Sequence, residues 1–398
     1  MSGTGVVRAP VARRCGSVVG VKITSVDAYL VDIPFREPFV VWRGSIRSKQ
    51  HVLVRLATED GTTGWGEASP FLYYASETAR DVLSMVRDVM AGELIGRDPR
   101  DIRAVAQHFS MFDGHQFAKA AVETALWDLL GRMHGLPVYR LFGGPVRASV
   151  PLLTVLHVAE PEEMAREAKE WVDRGLRHLK LKIGFGIDQD EAMVARVREA
   201  AGPGVLIRAD GEERYSRKEA LRICRKLERY DLELISQPVA RTDWEGMAFL
   251  RKSLEMPLLA DEGIHSPHDV MTCVRELAAD MVNIKVLKSG GALASLAMAA
   301  ICEAAHLPVV IGSMIESGIG VLMGAHVALA APGVFSTELC GPFLLEDLLL
   351  DTPLQQFPKV VTRQLQFEYC QLDCCGRRSL RYGRDDRNSV GHNIWKLL

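Results

Sequence analysis

Lys180 and Lys182 stand two residues apart in the run Leu179 to Ile183. Alternation along a strand sends both ammonium groups to one face. Like charges that close disfavour protonation, and a nearby divalent cation would disfavour it further, so a lysine here is expected to approach the range of a general base. Asp210 and Asp261 end two further apolar runs, each preceded by alanine, and carboxylates converging on one point are the hard oxygen ligands that Mg2+ or Mn2+ prefers. Lys285 ends another such run. Together these residues define a reaction. A cation holds a substrate carboxylate and stabilises the enediolate formed when a lysine removes the α-proton.

Positioning such residues needs a frame, and the chain repeats one. From about residue 145, a short apolar run with a polar residue at its end is followed by an amphipathic helix, at intervals of roughly 24 to 28 residues. The run ends fall at Thr154, Lys182, Asp210, Ser236, Asp261, Lys285, Ser313 and Glu338. Ser216 with Glu219, and Ser266 with Pro267 and Asp269, mark helix starts between them. Apolar strand interiors such as Val205 to Ile207 and Pro257 to Ala260 argue for a parallel sheet covered by helices. Eight strands close most simply as a barrel, whose chemistry lies at the carboxyl ends of the strands.

Ahead of the barrel, Val21 to Phe35, Gln50 to Ala57 and Gly61 to Ala68 read as a three-strand meander. From Ser76 to Gly143 the period becomes helical, with Ala118, Ala121, Val122, Ala125, Leu126, Leu129 and Leu130 on one face and Gly135 and Pro137 as a stop. The expected organisation is a disordered extension over 1–20, an α+β cap over 21–144, a barrel over 145–356 and a tail over 357–398.

Composition sets limits. A chain of 398 residues, 48% hydrophobic, with a formal net charge of -2 and no long basic stretch in its body, offers no footprint for nucleic acid or an anionic membrane. The apolar stretch from Ala292 to Gly312 is broken by Glu303 and His306, so no membrane span is expected. Isolated cysteines such as Cys224, Cys273 and Cys302 read as reduced, buried thiols of a cytoplasmic protein rather than a disulfide framework.

The motifs carry a resemblance. Lys180-Leu181-Lys182 before Ile183-Gly184, Ala260-Asp261-Glu262, Asn283-Ile284-Lys285 with Ser289-Gly290-Gly291, and Thr337-Glu338-Leu339 before Gly341-Pro342 resemble the enolase superfamily, in its muconate lactonizing enzyme subgroup. The likeness extends to a Gly64-Trp65-Gly66-Glu67 turn in the cap. It implies a (β/α)7β barrel of the TIM type, an N-terminal α+β capping domain whose loops around Phe35–Arg43 and Pro70–Glu77 close over the substrate, and Lys182 and Lys285 facing each other across it. Lys180 would assist them. Metal ligands carried over are Asp210 and Asp261. Where the family has a metal-binding glutamate in a Glu-Gln-Pro run, this chain reads Ser236-Gln237-Pro238, and Glu212 stands where an asparagine is usual, so Glu212 is the expected replacement ligand.

Substrate contacts are expected from Trp42 and Tyr73 in the cap and from Thr154, Ser313, Glu316 and Glu338 at the barrel mouth. The reaction implied is cycloisomerisation, or epimerisation or racemisation of an amino-acid derivative, on a small-molecule carboxylate in a homo-oligomeric enzyme. Dehydration on the same site, or a binding protein whose metal site has decayed at Ser236, are the alternatives. Gly312-Ser313-Met314 lacks the histidine that would imply acid-sugar chemistry.

Overall fold

The computed structural model describes residues 20–41, 44–72, 74–346, 349 and 359–361. The expected disordered extension, most of the tail, Trp42 and Tyr73 lie outside them.

The cap opens with an antiparallel meander of β1 (Ile23–Val41), β2 (Gly44–Thr58) and β3 (Thr63–Ala68), in the order β1-β2-β3. The hairpin is longer than the alternation suggested. Residues 35–41, expected as a loop, continue β1 after a register shift between Pro34 and Phe39, with Phe39 opposite Ile46. Cross-strand pairing is a non-local choice that a single-strand pattern does not display. The residues Gly64 to Glu67 likewise lie inside β3 and not in a turn. A Cβ on Gly64 would collide with the Ala125 carbonyl, and one on Gly66 with the Ala121 carbonyl, so the glycines are required by close approach of a helix.

That helix is the longest of the cap, which runs α1 (Ala79–Ser84), a π-helical turn at Met85–Met90, α2 (Ala91–Leu94), α3 (Ile102–Phe109), α4 (Gln116–His134) and α5 (Val138–Leu141). The small residues Ala118, Ala121 and Ala125 bury α4 against the sheet, and Gly135 at φ 62° ends it in a left-handed cap.

After β4 (Ser149–Pro151), strand and helix alternate: β5 (Thr154–Val155), α6 (Pro161–Asp173), β6 (His178–Lys182), α7 (Ile187–Ala201), β7 (Leu206–Asp210), α8 (Arg217–Leu227), β8 (Leu234–Ser236), α9 (Trp244–Ser253), β9 (Leu258–Ala260), α10 (Pro267–Arg275), β10 (Met281–Lys285), α11 (Ala292–Ala304), β11 (Val309–Gly312), α12 (Gly318–Ala330) and β12 (Val334–Thr337). Ser216 and Ser266 accept from the Glu219 and Asp269 amides as N-caps, where the sequence placed helix starts. β5 to β12 form one parallel eight-stranded sheet in sequential order, the (β/α)7β arrangement. α13 (Gly341–Leu344) follows, and β13 (Lys359–Val361), in the segment expected as tail, pairs antiparallel with β4.

Among the described residues no backbone ladder joins β5 to β12. The seam is bridged instead by side chains. Thr337 Oγ1 donates to the Pro151 carbonyl, and Lys180 on β6 reaches Glu338 beyond β12 at 2.9 Å. Cys224, Cys273, Cys302 and Cys340 are free and buried. No helix among the described residues is long and apolar enough to cross a membrane.

Two carboxylates of the cap terminate barrel helices. Glu67, fully buried on β3, accepts from Ser317 N at 2.8 Å, Ser317 Oγ at 2.6 Å and Gly320 N at 2.8 Å at the start of α12. Glu123 on α4 accepts from Leu293 N at 2.8 Å at the start of α11. A carboxylate at a helix N-terminus satisfies orphan amides and complements the dipole.

Candidate active site

Register brings the chemistry to one end of the sheet. Lys182 pairs with Asp210 and Asp210 with Ser236 across β6, β7 and β8, while Asp261, Ser313 and Glu338 each follow the last residue of their strand. Lys180, Lys182, Asp210, Glu212, Glu262, Lys285, Ser313 and Glu338 line a cavity of about 70 Å³, roofed and walled by Phe39, Phe71, Tyr74, Val155, Met314, Ile315 and Cys340. Asp261 and Ser236 are fully buried just outside that lining. A larger cavity of about 320 Å³ lies between α3, α4 and the start of α11. It holds none of the lysine pair, and the Glu123 carboxylate on its wall is committed to α11.

Each lysine is met by carboxylates. Lys180 Nζ lies 2.9 Å from Glu338, 3.1 Å from Asp210 and 4.0 Å from Asp261. Lys182 pairs with Glu212, which also accepts from the Tyr74 hydroxyl, and its ammonium sits 5.4 Å from the Phe39 ring centroid. Lys285 lies 2.8 Å from Asp261, and Lys288 donates to the Asp261 carbonyl at 2.8 Å. Lys180 therefore does not behave as like charge alone would suggest. Burial favours the neutral form of Lys180, but Asp210, Glu338 and Asp261 outweigh it and raise its pKa well above the ordinary value. Lys285 is raised too, because Asp261 and Glu262 overcome its burial. With carboxylates as the only counter-charges, these two ammonium groups are held protonated.

The acidic groups divide. Burial would raise Asp261, but Lys285, Lys288 and Lys180 pull it below the usual carboxylate range. Glu262 is pushed up to about 8, by burial first and then by the charges of Asp261 and Asp210. Perturbation of this kind clusters at functional sites.

Other expected contacts fall differently. Val155 lines the cavity rather than its neighbour Thr154, which is buried. Glu316 accepts from Met314 N at 2.7 Å and faces Lys49 and Glu67 in a separate buried cluster. Ser313 lines the cavity, its Oγ 3.4 Å from Cys340 Sγ. Both Glu338 oxygens are occupied, one by Lys180 and Asn283 (3.1 Å), the other by Arg208 (3.1 Å). Arg208, which sequence reading passed over as strand interior, is fully buried and also holds Glu233 at 2.6 Å.

Among the described residues, no three His, Cys, Asp or Glu side chains stand together as a ready-made metal cage. The donor set nevertheless fits a hard divalent cation. Asp210 and Asp261 supply carboxylate oxygens, and Glu212 Oε2, Glu262 Oε2 and Ser236 Oγ are buried without hydrogen-bond partners.

The class follows from comparison as well as geometry. Residues 23–143 match the mandelate racemase / muconate lactonizing enzyme N-terminal domain, and residues 163–361 match the enolase C-terminal domain-like family. The chain belongs to the enolase superfamily, in its muconate lactonizing enzyme-like subgroup. It is 32% identical over 326 residues to an N-succinyl-L-Arg/Lys racemase of Bacillus cereus, covering 81% of this chain and 88% of that one. It is also 32% identical over 342 residues to muconate cycloisomerase 1 of Rhodococcus opacus, covering 84% and 91%. A dipeptide epimerase from Enterococcus faecalis, crystallised with Mg and L-Leu-L-Tyr, superposes with TM-score 0.81 at 32% identity, over 85% of this chain and 97% of that one. These relatives are isomerases.

Proposed function

We propose that the protein is a metal-dependent racemase or epimerase of an amino-acid derivative, moving the proton on the carbon α to a carboxylate. One observation carries the reading: Lys182 and Lys285 line one cavity from strands that stand four apart in an eight-stranded sheet. Strands half a barrel apart face each other across its mouth, so the two amines address opposite faces of a carbon held between them. One takes the proton and the other returns one from the far side, through an enediolate.

Asp210 and Asp261 would hold the cation, Mg2+ or Mn2+, with one further carboxylate. When bound, it supplies positive charge beside the substrate carboxylate as the enediolate forms. The chain's own residues do the rest. Lys180, held charged by Asp210 and Glu338, keeps those carboxylates in place behind the reacting carbon. Phe39, Phe71, Val155 and Ile315 present apolar surface to the cavity, which suits an uncharged, apolar substituent on the substrate.

Cycloisomerisation is the second reading. It is favoured by 35% identity, at TM-score 0.81, to a muconate lactonizing enzyme from Pseudomonas fluorescens complexed with muconolactone. The test is deuterium incorporation from D2O, read by NMR, across N-acylamino acids, dipeptides and muconates with Mg2+ or Mn2+. Label entering the α-position with inversion supports racemisation or epimerisation, and a lactone product supports cycloisomerisation. Absence of exchange and of product across the panel would sink both.

A further inference from the structure

Four acidic residues line the cavity, and three of them face a basic side chain. Asp210 has Lys180 at 3.1 Å, Glu212 has Lys182, and Glu338 has Lys180 at 2.9 Å and Arg208 at 3.1 Å. Glu262 makes no ion pair among the described residues, although it is only 5% exposed, and its Oε2 is buried without a hydrogen-bond partner. It follows Asp261 directly and lines the cavity with Asp210 and Lys285, whose ammonium lies 2.8 Å from Asp261 and makes no ion pair with Glu262. A carboxylate buried among carboxylates is unfavourable unless a cation compensates it.

The neighbouring residues narrow the choice. Ser236 sits beside Asp210 in register, where the resemblance places a glutamate, and its hydroxyl brings no charge. Glu212 is already engaged: its Oε1 is shared by Lys182 and the Tyr74 hydroxyl, and its backbone is fixed in the left-handed region at φ 42°. Its Oε2 is unpartnered as well, but a cation there would compete with Lys182 for the charge of a single carboxylate.

We propose that Glu262 supplies the third carboxylate of the divalent-cation site in place of the glutamate absent at position 236, leaving Glu212 to hold Lys182. The assignment rests on the metal-dependent reading above. It makes the site of this chain a rearranged one: two adjacent residues beyond β9, with Asp210 from β7, do what the resemblance distributes over three strands.

The experiment uses full-length protein stripped with chelator and titrated with Mn2+, followed by EPR of the free ion and by calorimetry, together with melting of the stripped protein. Glu262→Gln is expected to weaken Mn2+ at least about tenfold, Ser236→Glu in that background to restore it, and Glu212→Gln to change it by less than about threefold. In the stripped state Glu262→Gln should melt no lower than wild type, because it breaks no ion pair and Oε2 has no hydrogen bond to lose, whereas Glu212→Gln, which breaks the pair with Lys182, should melt lower. Unchanged Mn2+ affinity in a folded Glu262→Gln, or a larger loss in Glu212→Gln, overturns the assignment while leaving metal dependence standing. Absence of Mn2+ binding in wild type overturns the metal-dependent reading itself, and the assignment with it.

Discussion

Replacing Glu67 by glutamine should uncouple the cap from the barrel. Glu67 Oε1 accepts from His51 Nδ1 at 2.7 Å and Ser317 N at 2.8 Å, and Oε2 accepts from Ser317 Oγ at 2.6 Å and Gly320 N at 2.8 Å. Glutamine keeps one oxygen and turns an amide against the donors at the other. Two charge-assisted bonds are lost, at about 1.5–3 kcal/mol each, and buried donors are left facing a donor, so the net cost is about 3–5 kcal/mol after the lower desolvation of a neutral group. With an unfolding entropy of about 2.1 cal/mol/K per residue, that lowers Tm by roughly 4–6 °C for a chain of this size. Burial alone would raise the Glu67 carboxyl, but the bonds from His51 and Ser317 hold it below its ordinary value. Its contribution is therefore complete above the ordinary carboxylate range and is lost as pH falls through the lower folded value. The deficit of the variant should be full at pH 7 and shrink in acid below about pH 4. Calorimetric melts at both pH values, with limited proteolysis of the cap, provide the measurement. A Tm within about 1 °C of wild type at pH 7 would refute the view that this carboxylate anchors the cap.

Two more outcomes follow from the site. Lys182→Ala and Lys285→Ala should each abolish α-proton exchange from one enantiomer of a chiral substrate while sparing the other, measured by NMR in D2O. Equal loss for both enantiomers in a folded single variant counts against opposed bases. Arg208→Met leaves Glu233 without its cation and Glu338 with Lys180 alone, and should cost about 3–5 kcal/mol in denaturant titration, while a stability equal to wild type would show that the cluster contributes nothing net.

What could be read from the sequence was whatever depends on neighbours in the chain. Strand and helix periods located all eight barrel strands, and the polar residue at each end fell on the last strand residue or within one of it. Lys182, Asp210 and Ser236 are even paired in adjacent registers. What escaped depends on partners across the barrel. The apolar run Val205 to Ile207 stops one residue short of Arg208, whose side chain is fixed by Glu233 at the entry to the neighbouring β8 and by Ser336 and Glu338 from the far end of the sheet. Glu262 stands in the Ala260-Asp261-Glu262 run, but its lack of an ion pair among the described residues is a property of its surroundings. The charge state of Lys180 was misjudged for the same reason: Lys182 is its neighbour in sequence, but the carboxylates that decide Lys180 arrive from β7, β9 and β12.

The side-chain seam between β5 and β12 bears on how such a scaffold could be retargeted. Glu338 lines the cavity and also ties Lys180 and Arg208 across the gap that backbone pairing leaves open among the described residues. A library randomised at the eighth strand would select for barrel closure before selecting for any ligand. Phe39, Phe71 and Ile315, by contrast, face the same cavity without holding any strand to its neighbour by an ion pair. Side chains can change there while the lysines and carboxylates stay put, so the room for variation is concentrated on the roof and the constraint on the floor.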